Sequence, residues 1–166
     1  MEKIFLGIGT NIGDREANLK QALIKIEENI GPVVSSSSVY ETEPWGFMSE
    51  NNFLNLVVEV ETDLNPSGLL GRVMMIESIL GRVREGKGYK PRLIDIDILF
   101  YGQRIIRRKV LTVPHPKLHE RKFVLVPLCE VDGDLVHPVF RKNIRSLLEE
   151  CPDRGRVEKK VEEEKG

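Results

Sequence analysis

Apolar and polar positions recur along this chain in two periods. Residues 3–8 (KIFLGI) have the length and apolar content of a strand. Leu19, Leu23, Ile26 and Ile30 then fall at helical spacing, which predicts a helix capped by Asp14 and stopped by Gly31 and Pro32. Residues 33–40 read as a strand, 43–51 as a loop around Pro44, Trp45 and Gly46, and Phe53–Thr62 as a further strand. Asn65 and Pro66 have the chemistry of an N-cap and a first helical residue. Leu69, Val73, Ile76 and Leu80 make a second helical stripe, ended by Gly81. A basic loop over 82–92 leads into RLIDIDILFYG, residues 92–102, which reads as a strand. Residues 103–122 read as loop with a short strand or two. Residues 123–131 are apolar but interrupted by Pro127, so a short helix or turn is expected, and 144–150 reads as a last short helix. From Arg154 onward nine of thirteen residues are charged, the composition of a frayed helix or disordered tail. The order predicts an α+β fold: a single-domain α/β/α-type sandwich over residues 1–153, with a mainly antiparallel sheet, ferredoxin-like, and a charged tail over 154–166.

The strand over 92–102 poses a chemical question. Ile94, Ile96 and Ile98 share one face, so Asp95 and Asp97 share the other. Their Cα atoms lie roughly 6.6 Å apart, from a rise of about 3.3 Å per residue. Aspartate is depleted in strands, and two like charges at that spacing repel unless water or a cation lies between them. Such carboxylates can bridge a pair of hard divalent ions about 3.5–4 Å apart. The alternative is an antiparallel strand with one wet face.

Composition narrows the choice. The chain has 166 residues, 40% hydrophobic and 31% charged, as expected of one globular domain. No apolar stretch approaches the ~20 residues of a membrane span, and the start lacks the long apolar core of a signal peptide. Cys129 and Cys151 form no CxxC motif and read as two reduced cysteines, so a cytoplasmic protein without a membrane partner is expected. The net charge of −1 hides an asymmetry. Twelve Lys or Arg against four Asp or Glu between Arg82 and Lys122 give +8, leaving −9 elsewhere. A basic block around an acidic pair suits a polyanion held with its metals, although charge alone also fits RNA. Gly7, Gly9 and Gly13 match neither GxGxxG nor a phosphate loop and are expected to form a tight strand-to-helix turn. His115 and His119 stand four apart, but Pro114 and Pro116 argue against a helix there, so a zinc pair is disfavoured; His115 is better read as a phosphate donor.

Several separated segments then coincide with one family: Gly9-Thr10-Asn11, Ser38-Val39-Tyr40-Glu41-Thr42 with Pro44 and Gly46, Phe53-Leu54-Asn55, Gly81-Arg82-Val83-Arg84, Pro91-Arg92 with Asp95-Ile96-Asp97, Leu111-Thr112-Val113-Pro114-His115-Pro116, and Arg121 with Phe123 and Pro127-Leu128. Over roughly residues 3–150 the chain resembles the 6-hydroxymethyl-7,8-dihydropterin pyrophosphokinases of folate biosynthesis. The resemblance implies a transfer of pyrophosphate from ATP to the pterin hydroxymethyl group, with release of AMP. It implies two Mg2+ ions on Asp95 and Asp97, and a catalytic set of Arg82, Arg92, Asp95 and Asp97. ATP contacts carry over to Glu77, Arg84, Arg92, Ile98, Thr112, His115 and Arg121, and pterin contacts to Thr42, Pro44, Phe53, Asn55 and Phe123. A monomer acting on two small molecules, with no nucleic acid partner, is expected. Against the family pattern, Gly88 replaces a basic residue while Lys90 carries the charge two positions on, Met74 stands where Gln is expected, and Val110 where some members have Arg. An RNA-binding α+β module would need clustered exposed aromatics on its strands, which are lacking. A nucleotidyltransferase would use the same carboxylates but release pyrophosphate.

The arginines of the basic loop are separable by experiment. Arg92 adjoins the aspartate strand and is expected to be pre-placed, so Arg92→Ala should weaken ATP binding and catalysis together. Residues 81–90 read as a lid, so Arg84→Ala should lower the single-turnover rate far more than ATP affinity, because only contacts stronger in the transition state raise kcat. A large loss of ATP affinity at an unchanged rate in Arg84→Ala would refute the lid.

Overall fold

Nine residues, Glu2–Thr10, form β1, an inner strand of an antiparallel sheet. The computed structural model describes residues 1–42, 52–81 and 93–160. The further elements are α1 (Arg15–Asn29), β2 (Val33–Ser36), β3 (Tyr40–Thr42), β4 (Phe53–Thr62), α2 (Pro66–Gly81), β5 (Asp95–Tyr101), β6 (Ile106–Arg107), β7 (Thr112–Val113), α3 (Lys122–Asp132), α4 (Ile144–Glu149) and β8 (Val157–Lys159). The sheet runs β5-β1-β4-β3-β8, with β2 also paired to β4, and β6 and β7 form a separate small ribbon. With β2 and β3 taken as one interrupted strand, the βαββαβ order β1-α1-β2/β3-β4-α2-β5 and the sequence β5-β1-β4-β2/β3 across the sheet make the ferredoxin-like arrangement expected above.

Strand alternation divides the core in two. Ile4, Leu6 and Ile8 of β1, with Leu54, Leu56, Val58 and Val60 of β4 and Ile96 and Ile98 of β5, pack against Leu19, Ala22 and Ile26 of α1 and Leu69, Val73 and Ile76 of α2. On the opposite face Phe5, Val57, Leu99 and Phe100 pack against α3 and α4 through Val124, Leu125, Leu128, Ile144 and Leu147. Each fully buried side chain of this size contributes about 1.5–3 kcal/mol, so both helical layers are held mainly by apolar burial. The expected caps form: the Asp14 carboxylate accepts from Ala17 N at 3.1 Å, and Asn65 Oδ1 accepts from Gly68 N at 2.7 Å. At Gly31 a Cβ would fall 1.9 Å from the Glu61 carbonyl oxygen, so only glycine lets the chain leave α1 so close to β4.

Four expectations change. The strand over 33–40 is two strands, because Ser37 turns inward: its hydroxyl accepts from Val57 N at 2.9 Å, where a ladder carbonyl would otherwise bind. Gly7 and Gly9 lie inside β1 rather than in a turn; only Gly13 of the three has a positive φ, at 67°. The apolar segment around Pro127 is a full helix of 11 residues, since Pro127 itself is buried with Val124, Leu125 and Leu128, and that packing outweighs one lost helical bond. Lastly, the charged segment after Arg154 is neither helix nor disorder over Val157–Lys159, which pairs with β3 as an edge strand. The loop expected over 43–51 and the lid over 82–90 lie outside the described residues. Among those described, no helix is long and apolar enough to cross a membrane.

One buried ionisable group ties pH to stability. His137 is 3% exposed, stacks on Phe140 with ring centroids 4.4 Å apart, and meets the Phe100 ring edge-on at 5.6 Å. Its Nδ1 accepts from Val139 N and Phe140 N, both at 3.2 Å. Burial pushes its pKa down to about 4 from an ordinary 6.5, and the charge of His119 adds to this. The unfolded chain therefore binds the extra proton between those values, and stability present above pH 6.5 is lost as pH falls toward 4, by at most roughly 3 kcal/mol. His137→Asn, whose amide oxygen can take the same backbone donors without titrating, should show a flatter Tm between pH 7 and 4.5 than the native chain. Parallel Tm profiles would exclude His137 as the cause.

Candidate active site

Cross-strand register assembles the site on the α3 face of the sheet. Asp97 lies opposite Gly7, which lies opposite Val57. One step on, Asp95 lies opposite Gly9, which lies opposite Asn55. Phe53 and Thr42 are paired beyond. Because both positions between the aspartates and β4 are glycine, the middle of the sheet is bare backbone for two rows. Asp95 is exposed and Asp97 half-buried, as the wet face of a strand requires.

Two clefts meet here. The larger, about 480 Å³, has Gly7 and Gly9 as floor and is walled by Thr42, Phe53, Asn55, Asp95, Asp97, Arg121 and Phe123. The buried Asn55 amide donates to Thr42 Oγ1 at 2.9 Å, which fixes one hydrogen-bonding edge of the wall. The Arg121 guanidinium stands 5.7 Å from the centroid of the Phe123 ring, at the start of α3. The smaller cleft, about 310 Å³, is lined by Glu77, Asp97, Ile98, Thr112 and His115, with Met74, Lys109 and Val110 at its rim. Asp97 belongs to both clefts. Glu77 is fixed from β5, its carboxylate accepting from Ile96 N at 2.9 Å.

His115 is held against the edge of β5 by its own N–H, which donates to the Leu99 carbonyl at 2.9 Å. Its Nδ1 accepts from Lys117 N at 3.1 Å, so the neutral ring carries its proton on Nε2. Burial lowers the His115 pKa; the nearby Asp97 charge opposes the shift and Arg121 reinforces it. The site thus combines two acidic groups, a neutral N–H donor and a permanent cation around one junction.

The sequence-derived residues separate by cleft with one exception, Arg121, which was expected among the ATP contacts and lines the larger cleft. Thr42, Phe53, Asn55 and Phe123 come together with both aspartates and Arg121, while Glu77, Ile98, Thr112 and His115 come together on the other side of Asp97. Arg82, Arg84, Arg92 and Pro44 lie outside the described residues. Sequence reasoning missed Gly7 and Gly9 as floor, and Lys117 and Glu120 as rim of the larger cleft. The glycine signal was present as two glycines at period 2 within a strand. Among the described residues no group of three or more His, Cys, Asp or Glu side chains forms a metal cage. Two carboxylates on a wet face nonetheless fit magnesium, which binds one or two carboxylates and completes its shell with water and substrate phosphates.

Comparison with known proteins gives a consistent result. A sequence model of the family described as 7,8-dihydro-6-hydroxymethylpterin-pyrophosphokinase matches residues 5–133, leaving α4 and β8 outside the match. The chain is 41% identical over 150 residues to the 2-amino-4-hydroxy-6-hydroxymethyldihydropteridine pyrophosphokinase of Aquifex aeolicus, covering 90% of this chain and 92% of that one. It is 44% identical over 128 residues to the protein of that name in Bacillus subtilis, covering 76% of each. In fold it is similar to the crystal structure of a Plasmodium falciparum HPPK-DHPS triple mutant, with TM-score 0.74 at 18% identity, spanning 90% of this chain but 43% of that one.

The bare floor is testable without a ligand. A Cβ on Gly9 would stand 2.8 Å from Asn55 Oδ1, and Asn55 is buried and hydrogen-bonded, so it cannot simply swing aside. Gly9→Ala should cost about 1–3 kcal/mol in denaturant unfolding, as overpacking does. In an Asn55→Ala background most of that cost should vanish. Additive losses would show that the two positions do not meet.

Proposed function

This chain belongs to the 7,8-dihydro-6-hydroxymethylpterin-pyrophosphokinase family, and from that premise we propose how its two clefts divide the reaction. The chain transfers a pyrophosphoryl group from ATP to the hydroxymethyl group of hydroxymethyldihydropterin in folate synthesis. The hydroxymethyl oxygen forms a bond to the β-phosphorus, the bond from that phosphorus to the oxygen bridging to the α-phosphate breaks, the hydroxyl proton is released, and AMP leaves. The observation that carries the assignment is that Asp97 walls both clefts. A group passed from one bound molecule to another must cross the point where their sites touch.

The pterin occupies the larger cleft, its ring between Phe53 and Phe123 over the glycine floor, with Asn55 and Thr42 reading its polar edge. Two aromatic faces and an amide suit a flat aminopyrimidinone. Pro44 belongs to the same set by sequence. ATP occupies the smaller cleft, with Glu77, Thr112 and the backbone at Ile98 around the nucleoside. His115 Nε2–H and the Arg121 guanidinium hold phosphate oxygens as the chain of phosphates passes Asp97, and Arg82, Arg84 and Arg92 add planar, permanent cations by sequence. Asp95 and Asp97 would hold two Mg2+ ions. Magnesium, when bound, offsets phosphate charge and lowers the pKa of the substrate hydroxyl. The protein's own work is placement: a strand face, a backbone-held histidine and the Arg121 cation at the start of α3, set before transfer begins. A monomer is proposed as the working unit.

Incubation with ATP, magnesium and hydroxymethyldihydropterin should yield AMP; pyrophosphate as the nucleotide by-product would indicate nucleotidyl transfer instead. Asp97→Ala should reduce the single-turnover rate by orders of magnitude with an unchanged unfolding midpoint, since the side chain stands on a wet face. A rate within about tenfold of the native enzyme, roughly 1.4 kcal/mol of barrier, would sink the metal assignment.

A further inference from the structure

We infer that the C-terminal segment over 153–160 is a strap that positions the pterin-binding wall of the larger cleft, with Asp153 as its positioning residue. The inference rests on placing the pterin between Phe53 and Phe123.

Helix α3 begins at Lys122, and its N-cap residue, Arg121, is extended and makes no side-chain capping bond. The first turn of a helix needs acceptors for its N–H groups, and these donors favour a negative charge. Asp153 supplies one from 31 residues away: its Oδ2 accepts from Lys122 N at 3.1 Å, while its Oδ1 accepts from Gly155 N at 2.7 Å. The residues next to Lys122 are Arg121, Phe123 and Val124, which all line the larger cleft. Asp153 therefore sets the position of the helix turn that carries the ring wall, without lining the cleft itself.

The same segment grips the opposite wall. β8 pairs Val157 with Thr42 and Lys159 with Tyr40, so the three-residue β3 is bonded on both edges. Lys160 N donates to the Val39 carbonyl at 2.8 Å, and Lys160 Nζ reaches Glu16 at the start of α1 at 2.5 Å. Near the far end of α3, Glu130 closes the frame. Its Oε2 accepts from Ser38 N at 2.7 Å and Ser38 Oγ at 3.0 Å, its Oε1 accepts from the Tyr40 hydroxyl, and Lys159 Nζ stands 3.8 Å away. The two cleft walls, β3 with Thr42 and α3 with Phe123, are thus tied directly through Glu130 and a second time through a segment that follows both in sequence. The smaller cleft is less directly held: the partners of 153–160 named above are Lys122, Tyr40, Thr42, Val39, Glu16 and Glu130, and none of these lines it.

The test compares Asp153→Ala, Asp153→Asn, Phe123→Ala and a chain ending at Pro152. Each is first checked for a cooperative thermal transition. Pterin KM and Kd should rise about fivefold to tenfold in Asp153→Ala, the size expected when one helix-capping contact is lost. They should rise further in the truncated chain. ATP Kd should rise by less, no more than about threefold, because Arg121 alone of the proposed nucleotide contacts stands on the same turn, a split that general loosening of the fold would not give. Asp153→Asn keeps one acceptor oxygen and should lie nearer the native enzyme; if Asp153→Ala does not fold, this variant decides by the same split. Pterin KM unchanged in the folded Asp153 variants, or equal losses for pterin and ATP, would overturn the strap while Phe123→Ala still shows a large pterin defect. An unchanged pterin KM in Phe123→Ala would instead remove the pocket assignment, and the strap with it.

Discussion

Two rows of sheet without side chains, at Gly7 and Gly9, are the constraint on which the site depends. β1 pairs with β5 on one edge and β4 on the other, so whatever its side chains leave open is bounded by Asp95 and Asp97 on one flank and by Asn55 on the other. The opening is maintained by the opposite face of the same strand. Ile4, Leu6 and Ile8 are locked into the α1/α2 core, and a slip of one residue would put the isoleucines in water and the glycines in the core. The geometry of the candidate site is therefore inherited from apolar packing. Side-chain length at the floor is fixed at zero, and the flanking polar groups are held at strand spacing.

β5 serves core and site in sequence. Through Ile98 it alternates strictly, and its aspartates face the cleft. Between Ile98 and Phe100 its register with β1 shifts by one residue. Leu99 and Phe100 consequently both pack into the α3/α4 core, while Tyr101 returns to the α1/α2 side. A bulge lets one strand be half-wet at one end and buried on both faces at the other. The ring of Phe100 meets Phe5 edge-on at 6.0 Å, and this buried half anchors the exposed half. α3 and α4 cover the buried end, and the cleft opens where that cover stops.

Local chemistry made much of this legible. Asp14 and Asn65 announce their helices, Phe53–Thr62 has the bounds expected for it, and the alternation of isoleucine with aspartate places the acidic pair on its correct face. Features that depend on distant partners were not legible. Gly7 and Gly9 carry no periodic apolar signal, and their meaning appears only when β4 and β5 flank them. In RVEKK, Val157 is the lone apolar residue, so the segment reads as a charged tail until β3 offers it an edge. Pro127 argues locally against a helix that burial then stabilises. Asp153 gave no signal at all, because a cap supplied from 31 residues away leaves no spacing motif.

The electrostatics follow the same division between fixed and adaptable parts. Along the sequence, a basic surplus of eight charges between Arg82 and Lys122 brackets the two aspartates, so the acidic pair is the exception within that stretch. Were every donor around Asp97 charged, the carboxylate would be neutralised by the protein and lose its pull on a cation. His115 avoids this. Burial favours its neutral form, the Lys117 N–H fixes the tautomer of that form, and the ring then offers an N–H without a competing positive charge. Arg121 supplies the permanent cation from the start of α3, on the other cleft's wall. Asp97 thus lies between a histidine donor on the side of the smaller cleft and a charged one on the side of the larger. That ordering leaves its charge available at the one place where the two clefts touch.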